Sequence, residues 1–112
     1  MLTVKVYNLP QTREDELMEL HKAIVDSVRS IPQLGIEDQG QMMTLFPKDM
    51  MFFGSGTTIL VEITGLNNVL FVYNDAIAKN VGEAISSQFI TAQVVCSVSC
   101  FTYNEGGYWQ NR

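Results

Sequence analysis

The chain opens with alternation. Leu2, Val4 and Val6 sit at every second position through Tyr7, the period of a half-buried strand. Asn8-Leu9-Pro10 ends it. The period then changes: Leu17, Leu20, Ile24, Val28 and Ile31 recur at spacings of three and four, which predicts an amphipathic helix of about five turns. Thr12 is placed as its N-cap, with Asp15 in a capping-box-like position. Glu14, Asp15 and Glu16 favour the positive end of the helix dipole. Pro32 and Gly35 stop the helix.

The second half repeats the rhythm. Gln41 to Phe46 predicts a strand closed by Pro47. Thr57 to Thr64 predicts a third, with Ile59, Val61 and Ile63 on one face. Gly65 breaks it. A second helix follows with two candidate starts, Asn68 or Asn74, because "VLFVY" suits either strand or helix. From Asp75 onward Ile77, Val81, Ala84 and Ile85 form a stripe ending near Phe89. Thr91 to Phe101 is the last strand, with Val94, Cys96, Val98 and Cys100 on one face. A polar and aromatic tail runs from residue 102 to 112, bent at Gly106-Gly107.

The order is β-α-β, loop, β-α-β. The units cover about 2–46 and 57–101, and the pattern suggests an internal duplication. Each unit is expected to be a right-handed parallel crossover. Together they predict an α+β fold: one four-stranded mixed sheet with both helices on one face. The other face is left uncovered, and Tyr7, Leu60, Val95 and Phe101 fall on it by parity. An apolar open face asks for a partner.

Composition sharpens that point. In 112 residues, 46% are hydrophobic and only 17% charged. A small single domain is mostly surface, so the excess points to an interface. The net charge of −5, with no two basic residues adjacent, argues against nucleic acid as a partner. No apolar run approaches the roughly 20 residues that span a bilayer, and the start lacks a signal-peptide h-region; neither points to a membrane partner, and the cytoplasm is the expected location. Cys96 and Cys100 would lie about 13 Å apart on one strand, too far for a disulfide. Two thiols also fall short of a zinc site.

Four further features carry little chemistry by themselves. His21 is the single histidine and sits mid-helix, where a structural role is expected. Glu62 is the one acid inside a predicted strand; it either faces solvent or pairs with a Lys or Arg at a subunit interface. "FGSGTT" lacks the lysine and following helix of a phosphate loop. "FPKDMMFFGSG" at 46–56 is the unusual stretch, with two Met and two Phe in a row.

Three stretches carry a family resemblance. "NLP" at 8–10, "PKDMMFFGSG" at 47–56 and "NEGGYWQN" at 104–111 together resemble the tautomerase superfamily, and within it macrophage migration inhibitory factor and its relatives. The resemblance implies a trimer whose open sheet faces line a barrel-like interior. It places Phe52, Phe53 and the Met pairs between subunits; otherwise they are core residues beneath a loop. It implies no metal and no organic cofactor. The chemistry it implies is proton transfer between carbon and oxygen of a small keto or enol acid, by an N-terminal proline amine of lowered pKa.

The chain departs from that pattern. It begins Met1-Leu2, and methionine before a bulky residue is expected to be retained. Met1 then offers a primary amine, which titrates near ~7.7–8.0 when unperturbed. Matching Pro10 to the family puts Met1 at the catalytic position; matching strand alternation puts Met1 one residue after it, in which case the encoded protein carries a proline before it. The family's carboxylate-binding cations also fail to match: Ile36 and Met42 fall at those positions. Arg13 is the nearest substitute, with a solvated helix-start residue as its alternative. Phe53 matches a pocket phenylalanine, Thr64 at the end of the third strand offers backbone or hydroxyl contacts, Ser97 and Ser99 fall among polar pocket positions, and Trp109 caps the site. Three readings follow: a weakly active tautomerase-like trimer, the same trimer without catalysis as a binding or structural module, or a ferredoxin-like ligand-sensing trimer.

Overall fold

The computed structural model describes residues 2–37, 42–47, 58–65 and 72–100, Cys100 by its backbone alone. Strand β1 spans Leu2–Tyr7, helix α1 Glu14–Arg29, β2 Met42–Leu45, β3 Thr58–Gly65, α2 Asn74–Gln88 and β4 Gln93–Cys100. The four strands form one sheet in the order β2-β1-β3-β4. β1 is parallel to β2, β3 is parallel to β4, and β1 and β3 meet antiparallel at the centre. This is the mixed α+β sheet anticipated from the pattern.

The order also removes the ferredoxin-like reading. In that split arrangement another strand separates the two parallel strands of a β-α-β unit. Here the parallel strands of each unit are immediate neighbours.

Alternation decides which side chains enter the core. Leu2, Val4 and Val6 of β1, Met42 of β2, and Ile59, Val61 and Ile63 of β3 are buried beneath the helices. From α1, Leu20, Ile24, Val25 and Val28 meet them, and from α2, Ile77, Val81 and Ile85. The β4 residues Val94, Cys96 and Val98 pack against the same cluster half-buried. Both helices lie on this one face and run antiparallel. Asn80 Nδ2 donates to Ser27 O and to Ser30 Oγ, both at 3.1 Å. At the other end Gln88 Nε2 donates to Glu16 O at 3.3 Å.

The helix ends differ from expectation. Arg13, not Thr12, is the N-cap of α1, and Glu16 rather than Asp15 takes the reciprocal bond, accepting from the Arg13 backbone N–H at 3.4 Å. Thr12 instead turns its hydroxyl back to Pro10 O, a local side-chain bond that competes with capping. Helix α2 starts at Asn74 with Tyr73 as its N-cap. So Asn74 is its first residue rather than its cap, and Asn68 lies outside the described residues. After α1, Pro32–Leu34 forms a 3-10 turn closed by Gly35 at φ 69°, a left-handed conformation that glycine adopts without steric cost. Asn8 ends β1 in the same region at φ 67° and ties the strand to its neighbour, its Nδ2 donating to Thr58 O at 2.8 Å.

Candidate functional site

The strand register sorts the open face into rows. At one end of the sheet, where β1 and β2 begin and β3 and β4 finish, Met43, Thr3, Thr64 and Ser99 lie side by side. The next row holds Leu45, Lys5, Glu62 and Ser97. The third holds Tyr7, Leu60 and Val95. The face is therefore half polar. Three hydroxyls line its first row, and its single cation and single acid sit opposite each other in the second.

The candidate residues divide accordingly. Met1, Phe53 and Trp109 lie outside the described residues, as does Phe101; position 1 is joined directly to Leu2 at the first end of the sheet. Thr64 and Ser97 share the open face and sit in adjacent rows. Arg13 is elsewhere. It follows β1, beyond the far end of a six-residue strand that spans about 17 Å at ~3.3 Å per residue. Its guanidinium is held by Asp15 at 3.2 Å and Glu16 at 3.1 Å. Within one subunit the structure does not bring Arg13 together with Thr64 and Ser97.

The positions where the resemblance expects cations are apolar for a structural reason. Met42 is only 5% exposed, in the core beneath the helices, and Ile36 packs against that core. A charge there would be desolvated without a partner. Sequence reasoning passed over Thr3 and Lys5, whereas Ser99, named with Ser97 among the polar pocket positions, does share the open face. The signal for Thr3 and Lys5 was available in the alternation of β1, where the odd positions carry the polar side chains.

Cys96 points away from this face, into the helix side, where Gly82 of α2 approaches it. Burial pushes its thiol from the ordinary 9.0 up to about 11. A thiol so protonated is a poor nucleophile. His21 joins α1 to β2, its Nδ1 lying 2.8 Å from Thr44 Oγ1. Beside it a shallow recess of about 200 Å³ is lined by Glu14, Leu17, Met18, His21 and Phe46, at the end of the sheet opposite the hydroxyl row. Among the described residues no three His, Cys, Asp or Glu side chains gather as metal ligands, and no helix is long and apolar enough to cross a membrane.

No protein-family model and no curated protein matches the chain. Solved structures do match its fold. The Leishmania major protein MIF2 superposes with a TM-score of 0.69 over 90% of this chain and 89% of that one, at 14% identity. A 5-carboxymethyl-2-hydroxymuconate isomerase from Deinococcus radiodurans R1 gives 0.55 over 98% and 87%, at 16% identity. A fused 4-OT described as a wild-type symmetric trimer gives 0.66 over 95% and 90%, also at 16% identity. Likeness at such low identity speaks for backbone arrangement alone, and what it establishes is that the chain has the tautomerase fold.

Proposed function

We propose that the chain is a self-associating, tautomerase-like protein that moves a proton between carbon and oxygen of a small keto or enol acid. The observation that carries this reading is the placing of Thr3, Thr64 and Ser99 in one row at the sheet end where β1 begins. An N-terminal amine at that end is the general base, because a free α-amino group titrates near neutral pH. The hydroxyls can donate to the acid's carboxylate or to the enolate oxygen as charge develops there. Support comes from a neighbour described as an isomerase of a hydroxymuconate and another described as a trimer. Assembly as a homotrimer gives the open face its cover, with the exposed Met43, Leu45 and Val95 turned inward. Phe53 and Trp109 belong to the substrate pocket in this reading.

A second reading is favoured by specific observations. Apolar Met42 and Ile36 stand where the resemblance expects carboxylate-binding cations, and the salt-bridged Arg13 sits at the far end of the sheet. An oligomer of the same fold without catalysis, acting as a binding or structural module, then results. The two separate in one experiment: enol–keto conversion of phenylpyruvate by protein whose intact mass fixes its N-terminus. A rate above buffer that disappears when the terminal amine is blocked supports catalysis. A rate equal to buffer rejects it for this substrate class.

A further inference from the structure

The sheet carries one cation and one acid, Lys5 and Glu62, and the register sets them directly opposite each other on the open face. Cβ atoms so placed lie about 5 Å apart, yet no ion pair closes between them. The Glu62 carboxylate accepts from the Tyr7 hydroxyl at 3.4 Å. The ion pairs among the described residues join Arg13 to Asp15 and Glu16, and Arg29 to Asp26. The Lys5 ammonium therefore has no acidic partner among the described residues. Around it the face carries Leu45 at 39%, Met43 at 45% and Val95 at 43% exposure. Those side chains gain from being covered. A purely apolar cover would desolvate Lys5 and Glu62 together, and buried charges need further polar partners to offset that cost.

The charge complementarity specifies the cover. It must present an acid to Lys5 and accept a cation near Glu62, and a second copy of this chain offers both. We infer that Lys5 of each subunit pairs with Glu62 of the next, so that the open faces assemble through a closed ring of charge pairs. The inference rests on the self-association proposed above and adds the residues that set its register. Lys5 and Glu62 belong to one patch of the open face, and a patch that carries both charges is self-complementary, so copies related by a symmetry axis can each set Lys5 against a neighbour's Glu62. Tyr7, on the adjacent position of the same face, orients the Glu62 carboxylate for its partner. Polar residues at an apolar interface fix register in this way.

The test uses charge reversal on the full chain. Native mass spectrometry and light scattering of the unaltered protein should show an oligomer. Lys5→Glu and Glu62→Lys should each weaken self-association by at least about tenfold, since like charges facing across an interface repel. Co-expressing tagged Lys5→Glu with untagged Glu62→Lys should restore mixed oligomers on the tag in part, because in a ring of three two interfaces regain an opposite pair and the third still joins like charges. Co-expression keeps the test readable even where one variant alone folds poorly. A monomeric unaltered protein overturns the assembly reading and this inference with it. An oligomer that both single variants retain overturns the pairing alone. Oligomers lost in both variants and not restored by mixing place the pair within one subunit, which also overturns it.

Discussion

The two faces of this sheet are made by the same strands and share one backbone, yet they are different materials. On the helix side Val4, Val6, Ile59, Val61 and Ile63 are essentially inaccessible to water, beneath Leu20, Ile24 and Ile77. On the other side Thr3, Lys5, Glu62, Thr64, Ser97 and Ser99 alternate with Met43, Leu45 and Val95, half-buried or exposed. A face finished within one chain needs only aliphatic groups of suitable volume. The open face mixes rows of polar groups with exposed apolar groups on the edge strands and Leu60 and Tyr7 on the central ones, a surface on which burial is left incomplete within one chain. The contrast follows from the pleat, which turns alternate side chains of each strand to the helices and to the open face.

The largest expected effect tests the finished side. Ile24→Ala or Ile63→Ala should cost about 2–5 kcal/mol of unfolding free energy, measured by denaturant titration, because each leaves a cavity in a dry core. Met43→Ser and Val95→Ser on the open side should change monomer stability by less than about 0.5 kcal/mol while weakening self-association, read as a concentration-dependent mass. Equal losses of stability on both sides would break the contrast.

The helix-to-sheet and helix-to-helix ties come next. Asn80→Ala removes the bonds to Ser27 and Ser30, and His21→Ala removes the link to Thr44. Each should lower the unfolding free energy by about 1 kcal/mol. The exposed Met18 near His21 should tolerate Met18→Gln with no measurable loss.

The thiol on β4 gives a pH signature that belongs to the covered side. Folded Cys96 keeps its proton to about pH 11, whereas the unfolded thiol releases it near 9.0. Unfolding therefore releases a proton between those values, and stability falls as pH rises through that window. In thermal melts from pH 8 to 11 the decline should be shallower in Cys96→Ala. Alkylation by iodoacetamide at pH 8 should be faster in denaturant than in buffer.

The smallest effect is a gain. A Cβ at Gly82 would meet Cys96 Cβ at 3.8 Å, an ordinary contact, in the middle of α2. Gly82→Ala should stabilise the protein by about 0.5–1 kcal/mol through helix propensity. A loss instead would mean that α2 and β4 are packed more tightly than that spacing.

Much of the fold was legible in advance. β1 falls on Leu2–Tyr7 as its alternation indicates, and the α1 stripe of Leu20, Ile24 and Val28 is buried. The parity of β4, with Cys96 inward and Val95 outward, also follows from the pattern. Cap positions were less legible. Thr12 and Arg13 differ by one residue, and the choice depends on whether the Thr12 hydroxyl bonds to Pro10 or to the helix. The candidate site was legible only in part. Thr64 and Ser97 could be placed on the open face. Thr3 and Lys5 were passed over because a polar residue on a single strand looks like a solvent-facing one until its neighbours are known.

The sequence alone determined which residues turn inward, because the period of two along a strand and 3.6 along a helix is a property of the local backbone. It also determined that an apolar excess would remain outside, because composition does not depend on topology. Tertiary structure decided the strand order, and with it the exclusion of a split β-α-β arrangement. It also decided that Lys5 stands opposite Glu62, 57 positions away in the numbering, while Arg13 is held at the far end of the sheet. Those facts are pairings between distant segments. They depend on register across the antiparallel centre, which no local period encodes.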